Sequence, residues 1–147
     1  MAETLGTLCD KLTIVKLKQW HATDDERLSS LSQQERQLQE EIDVFVQKAI
    51  AGQIPLERLT FAANKIYKLQ GNTVANVQGN LGEVFSRLAD VNCKLWHEQE
   101  RVYDFERVPP EQKDSVVKQL ALLNLERNKC IDEIDRLFRA GIQNPKN

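Results

Sequence analysis

The sequence predicts an all-α protein: an antiparallel four-helix bundle built from two duplicated helical hairpins, with a short connecting helix. Three observations predict it, namely a repeated segment, four stretches of apolar residues at helical spacing, and turn signals between them. A chain of 147 residues is sized for one core. We therefore predict a single helical domain over 1–147, with hairpin one at about 3–51, a connector at 52–79 and hairpin two at 80–140.

The repeat pairs LGTLCDKLTIVKLKQWH at 5–21 with LGEVFSRLADVNCKLWH at 81–97, and seven of the seventeen aligned positions are identical. Chance would supply about one identity, so we infer a duplication. Further along, EEID at 40–43 matches DEID at 132–135 at an offset of 92 instead of 76, which makes hairpin two sixteen residues longer. We expect about two extra helical turns in each of its arms.

Each of the four stretches places its apolar residues on one arc at 100° per residue, as an amphipathic helix does. The stripes are Leu5, Leu8, Cys9, Leu12, Val15 and Trp20; Leu31, Leu38, Ile42, Phe45 and Ala49; Leu81, Val84, Phe85, Leu88, Val91 and Trp96; and Leu120, Leu123, Ile131, Ile134 and Phe138. Both tryptophans lie on these arcs, so we expect them to pack in the core, with His21 and His97 at its margin.

Turn signals separate the helices. TDDE at 23–26 has the form of a capping box, which predicts that the second helix begins near Asp24. Pro109 and Pro110 follow a predicted turn near residue 107 and should open the last helix, while Pro55 should open a short connecting helix that ends near Leu69. The ER dipeptides at 35–36 and 126–127 match at an offset of 91, whereas the EID segments at 41–43 and 133–135 match at an offset of 92. The difference indicates one residue inserted in the last helix. Because a helix absorbs such an insertion as a π-bulge, we predict one near 128–130.

Composition excludes several classes of function. A net charge of -2 with nearly balanced acids and bases creates no field that would gather nucleic acid or anionic lipid. The sequence contains no apolar run of about 18 residues and no signal-peptide pattern, so we expect a cytoplasmic protein without membrane contact. Cys9, Cys93 and Cys130 have no CxxC spacing, and we expect reduced, mostly buried thiols.

Polar residues within the apolar arc of the last helix are the most suggestive chemical feature. Asn124 and Arg127 point toward the core, where arginine is rare unless it is paired. Counting along the hairpins places Arg87 opposite Glu126, just as Lys11 faces Glu35, so we expect a duplicated polar layer. The layer either fixes the register of the helices or lines a ligand pocket.

The histidine, tryptophan and polar residues support two further hypotheses. A ligand pocket would draw on these side chains: His21, Trp96, His97, Asn124, Arg127 and Asn128. An enzyme would use His97 and Glu100 as acid and base beside Arg127.

The acidic matches offer a magnesium site of the type found in helical nucleotide pyrophosphohydrolases, although a full EExxE motif is missing. Its candidate ligands are Glu41, Asp43, Asp132 and Asp135. The alternative is that these acidic side chains pair with basic residues and with the positive N-terminal ends of neighbouring helices. We expect no cofactor.

The second half carries a family resemblance. LWHEQERVYDFERVPPEQKD followed by LNLERNKCIDEID is similar to an uncharacterised bacterial family, the domain of unknown function four-two-five-four. The matching residues are Leu95, Trp96, His97, Asn124, Arg127, Asn128, Ile131, Ile134 and Asp135, whereas the acids at 98–100 are displaced from the family's pattern. The resemblance implies a helical fold, a bacterial cytoplasmic origin and a link to surface polysaccharide synthesis, but no activity.

The sequence contains no complete catalytic constellation beside its well-patterned core. We therefore expect a non-catalytic helical interaction or accessory protein that binds a protein partner, with a homodimer as one form of that interaction. The alternative is a small-ligand-binding or metal-dependent helical enzyme.

Overall fold

The computed structural model describes residues 2–61 and 76–144, and the regular structure of these residues is entirely helical. Four long helices follow one another in the chain: α1 Leu5–His21, α2 Asp25–Ile50, α3 Leu81–Tyr103 and α4 Pro110–Gln143. Since the described residues contain no strand, the all-α fold class is confirmed. None of the described helices has the length and apolar character needed to cross a bilayer.

Helix α1 packs against each of the other three, and α3 and α4 pack along one another. Asp10 lies beside Asn92 and His21 beside Trp96, so α1 and α3 run in the same direction. Helices α1 and α2 have 17 and 26 residues, whereas α3 and α4 have 23 and 34. Hairpin two is therefore longer by about two turns in each arm, as the repeat predicts.

The core lies where α1 and α3 begin and where α2 and α4 end. It consists of Leu5, Cys9, Val77, Val84, Leu88, Cys130, Ile131 and Ile134, with Ile42, Phe45, Val46, Phe85, Leu137 and Phe138 packed against it. Phe45 of α2 meets Phe138 of α4 with ring centroids 6.1 Å apart, which ties the outer helix to the core. Burying a side chain such as that of Ile134 contributes about 1.5–3 kcal/mol.

Two of the three cysteines belong to this core, and Cys93 is exposed. Burial raises the pKa of the Cys9 thiol to about 12 and that of the Cys130 thiol to about 11. Both thiols therefore stay protonated and pack as small apolar side chains.

The helix starts follow local hydrogen bonding. At α1 the Thr4 hydroxyl accepts a hydrogen bond from the Thr7 N–H, and the Thr7 hydroxyl accepts one from the Thr4 N–H, 2.8 Å away. At α2 the predicted capping box is wrong, because Asp24 is the N-cap and its carboxylate accepts from the Glu26 N–H at 3.1 Å. The aspartate takes the role predicted for the preceding threonine. Helix α4 begins at Pro110, as predicted.

The predicted π-bulge near 128–130 is wrong, since α4 is α-helical from Pro110 to Gln143. The reason lies in the two glutamates on which the prediction rests. Glu126 accepts a hydrogen bond from Arg87, which aligns with Lys11, whereas Glu35 binds Lys16. The two ER dipeptides are therefore not structurally equivalent. The difference between their offset and that of EID does not mark a residue inserted in α4.

The connector begins differently from the prediction. After α2 the chain forms a 3₁₀ turn at Leu56–Arg58 in place of the start of an α-helix at Pro55. The remainder of the predicted connecting helix, to Leu69, lies outside the described residues. Between α3 and α4 a second 3₁₀ turn, Phe105–Arg107, forms the hairpin tip where the repeat predicts it.

The first turn of α1 lies directly on α4 at a glycine. A Cβ built on Gly6 would be 2.5 Å from the Ile131 backbone oxygen and 2.8 Å from Asp135 Oδ1. Real Cβ atoms do not approach backbone oxygens this closely, so the contact between the helices requires glycine. At Gly82, the counterpart of Gly6 in the repeat, nothing lies within 4 Å of such a Cβ.

We expect Gly6→Ala to lower the free energy of unfolding by about 1–3 kcal/mol, because α1 must move away from α4. The control is Gly82→Ala, which should be neutral or stabilising by up to about 1 kcal/mol, since alanine is the better helix former. Urea unfolding of both variants measures the difference. Equal effects would show that the close approach of α1 to α4 does not constrain the fold.

Candidate functional site

The two Trp–His motifs of the repeat meet at one level of the bundle. The imidazole of His21 stacks on the indole of Trp96, with ring centroids 4.5 Å apart and an interplanar angle of 19°. His21 Nδ1 lies 2.8 Å from the Leu17 backbone oxygen, and Trp96 Nε1–H donates to Glu100 Oε1 at 2.9 Å. The histidine of one motif thus contacts the tryptophan of the other.

Their burial differs from the prediction. Trp20 is 85% exposed, Trp96 is only partly buried, and both histidines are exposed. Trp20 lies on the predicted apolar arc, but in the last turn of α1, and there no neighbouring helix covers its side chain. The prediction that both tryptophans pack in the core is therefore wrong.

A polar cluster joins α1, α3 and α4 within the bundle. Arg127 donates from Nε to Asp10 Oδ1 at 2.9 Å and from Nη2 to Asp10 Oδ2 at 2.5 Å. Asn92 donates to the same Asp10 Oδ1 at 2.9 Å and to the Thr13 hydroxyl at 2.7 Å. Asp10 and Asn92 are buried, with 4% and 3% of their surfaces exposed. We call Asp10, Thr13, Asn92 and Arg127 the Asp10 cluster.

The cluster holds its arginine as a cation, because the hydrogen bonds from Arg127 to Asp10 raise the guanidinium pKa above its ordinary value. The predicted pairing of charged residues between the helices of each hairpin is confirmed only in part. Arg87 pairs with Glu126 at 2.8 Å, as predicted, but Glu35 binds Lys16 and Gln19 instead of Lys11. The polar layer is therefore not duplicated.

The two asparagines of the predicted pocket bond to their own helix. Asn124 donates from Nδ2 to the Leu120 backbone oxygen at 3.1 Å, and Asn128 donates to the Asn124 backbone oxygen at 2.8 Å. Together with Arg127 on Asp10, this gives each polar side chain of the LNxxRN pattern a partner within the protein. Sequence reasoning missed Asp10 as the partner of Arg127, because counting along a hairpin pairs residues within that hairpin, and these two residues lie in different hairpins.

The acidic candidates separate into different surroundings. Glu41 and Asp43 are exposed on α2, whereas Asp135 is 1% exposed and lies at the start of α1. There its Oδ1 accepts the Gly6 N–H at 2.7 Å, so the carboxylate meets the positive end of that helix. In the part of the chain that the structure describes, no group of three or more His, Cys, Asp or Glu residues could hold a metal ion.

Burial removes water from Asp135 and raises its pKa from 3.8 to about 6, against the opposing effects of the Thr4 hydroxyl and the Gly6 N–H. A raised pKa means that the folded protein binds this proton more tightly than the unfolded chain. Asp135 therefore contributes a pH dependence between about pH 4 and pH 6.

A continuous groove runs between α1 and α2. One part has a volume of about 310 Å³ and the other about 750 Å³, and Gln37 and Glu41 line both. Its apolar floor is formed by Leu8, Ile14, Val15, Leu38, Val44, Phe45 and Ile54. Its charged walls carry Lys11 and Lys18 on α1, with Glu3 just before that helix, and Glu40, Glu41 and Lys48 on α2. We call this feature the α1–α2 groove.

Two further concavities lie along α4, beside Asp132 and Arg136. His97, Asn124, Arg127 and Asn128 line neither these nor the α1–α2 groove. The structure thus brings Trp96 and His21 together, and keeps Arg127 on Asp10. The described lining of the α1–α2 groove includes no histidine or cysteine, the side chains that most often act as nucleophile or base.

These surfaces define an all-α bundle with an internally bonded polar cluster and an open groove on hairpin one. Comparisons with protein-family models, curated proteins and solved structures found no match to the chain. The family resemblance of the second half therefore stays a prediction, and the function has to be argued from the site itself.

We expect Arg127→Leu to cost about 3 kcal/mol in urea unfolding, because it leaves the Asp10 carboxylate buried without a cation. Adding Asp10→Asn to that variant should recover much of the loss. As the control, Arg87→Leu breaks a more exposed pair with Glu126 and should cost at most about 1 kcal/mol. Similar costs for the two arginines would contradict the dependence of Asp10 on Arg127.

Raising the pH from 4 to 7 should destabilise the wild-type protein relative to Asp135→Asn, because the folded wild type must lose a proton that it binds tightly. The change should not exceed about 3 kcal/mol. Urea unfolding of the two proteins at one-unit intervals of pH measures it. A difference between wild type and Asp135→Asn that is constant from pH 4 to 7 would refute the raised pKa.

Proposed function

We propose that the protein is a non-catalytic helical interaction protein that binds a segment of a protein partner in the α1–α2 groove. The observation that carries the proposal is that little of the surface of α2 is buried. Only Leu31 and Ala49 of its 26 residues are buried, while Val44 is 47% exposed on the groove floor. An outer helix with this little of its surface covered, beside a groove lined by apolar and charged side chains, supports an interaction role.

The shape of the groove favours a polypeptide over a small molecule. Its α2 side extends from Gln34 to Lys48, which is about 21 Å along the helix. Pockets for small molecules enclose most of the ligand surface, whereas this groove is open along its length. A chain segment can contact the whole floor while its outer side stays in water.

The arrangement of the chemical residues also supports a non-catalytic role. Arg127 is engaged by Asp10, Glu100 accepts from the Trp96 indole, and His21 is stacked on that indole. A general base needs a free lone pair within reach of a substrate proton, in a site that holds the substrate. The predicted acid–base residues His97 and Glu100 are exposed, and neither they nor Arg127 line the groove or the concavities along α4, so they do not share a site that holds a substrate.

We expect Val44→Glu to abolish capture of the partner from lysate of the natural source, because it places a charge on the groove floor. The matched control is Gln47→Glu, which adds the same charge at an exposed position of α2 outside the groove. Both variants should unfold within about 0.5 kcal/mol of the wild type, since both sites are exposed. Quantitative mass spectrometry compares the captured proteins, and a wild-type set retained by Val44→Glu would rule out this groove.

A further inference from the structure

We infer that the segment bound in the α1–α2 groove is an amphipathic α-helix of about four turns, with acidic residues facing α1. This inference rests on the proposed function and names the class of partner. The groove length of about 21 Å corresponds to about 14 helical residues. The partner is thus defined by its length, its apolar stripe and the placement of its charges.

The groove has the form that helix packing requires. Its α2 residues lie on one face of the helix, where side chains three and four residues apart form ridges: Gln34, Gln37, Leu38, Glu40, Glu41, Val44, Phe45 and Lys48. Helix α1 supplies a second ridge with Lys11, Ile14, Val15 and Lys18. Two neighbouring ridges of this kind accept the side chains of a third helix between them.

A helix also satisfies the backbone of the bound segment. An extended peptide needs a sheet edge to pair its N–H and C=O groups, and the described residues contain no strand. A polyproline segment needs an aromatic groove, whereas Phe45 is the single aromatic residue among the described lining residues. A helix brings its own hydrogen bonds and needs only an apolar floor.

The charges on the walls determine the flanks of the bound helix. Lys11 and Lys18 lie two turns apart on α1, whereas Glu40 and Glu41 lie on α2. Lys11 also forms an ion pair with Glu3 within the protein, which leaves Lys18 as the stronger determinant. Acidic residues of the partner should therefore lie over α1 and basic residues over the middle of α2. Exposed charges of this kind contribute to selectivity more than to affinity.

The described helices of a second copy of this chain lack the apolar surface that the groove requires. The exposed large apolar residues of the described helices are Trp20, Val44, Ile50, Leu81, Tyr103 and Val117. No two of them lie three or four residues apart on one described helix, so none of these helices offers an exposed apolar stripe. Because the described helices do not supply the stripe, we take the occupant to be a helix of another protein.

Two designed peptides of about 16 residues test the inference. Both carry one leucine stripe and an identical lactam staple on the outward face, since helices of this length are marginal alone. The first has glutamates on one flank and lysines on the other, and the second has lysines on both. This pair is informative in either direction of binding, because reversing a helix in the groove exchanges its flanks.

Fluorescence anisotropy should show that the wild-type protein binds the first peptide at least about fivefold more tightly than the second. Lys18→Glu should lower this preference by about threefold or more. Lys94→Glu, at the repeat counterpart of Lys18 on α3, should leave it unchanged. The preference should also shrink in about 0.5 M salt, because screening weakens exposed charges.

Failure of the first peptide to bind, or equal binding of both, overturns the helix inference. A dimer in sedimentation that Val44→Glu dissociates would overturn it too, since a second copy would then occupy the groove. If capture of the partner depends on Val44 while the peptides fail, the proposed function stands and the partner class is wrong. If capture does not depend on Val44, the proposed function fails as well.

Discussion

The arrangement of the helices depends on the hydrogen bonds that the buried carboxylate of Asp10 accepts. This carboxylate is buried on the helix that packs against all three others, and it accepts hydrogen bonds from α3 and α4 together. A buried ion pair contributes little net stability, because desolvation offsets its attraction. Any other register of these helices would leave a buried charge unpaired, which is far more costly. The cluster therefore selects one packing more than it strengthens it.

Helix α1 is held against hairpin two at three levels, and this explains where the free surface lies. Asp135 binds the first turn of α1, Arg127 and Asn92 bind its middle, and Trp96 contacts its end at His21. These contacts use the sides of α1 that face α3 and α4. Its remaining side, together with α2, forms the groove. The constraint that orders the bundle is thus also the reason that no other described helix covers this face of hairpin one.

The sequence predicts the fold well, because helical periodicity and turn residues are local signals. The repeat correctly places the second hairpin tip and the longer arms of hairpin two. Periodicity identifies which face of a helix is apolar, but not whether a neighbour covers it, and Trp20 and Val44 are exposed for that reason. The link from Asp10 to Arg127 joins residues 117 positions apart, which no local pattern contains. The groove could not be predicted for the same reason, since it depends on the placement of α2.

The duplicated residues show how identical positions acquire different roles. Gly6 permits the contact of α1 with α4, while Gly82 faces open space. Trp96 supports the stacked ring of His21, while Trp20 is exposed. The matching Trp–His motifs therefore do not form a symmetric pair of sites. Because hairpin two holds α1 while hairpin one carries the groove, corresponding residues of the two hairpins have different surroundings, and the chemistry of each residue has to be judged by its own contacts.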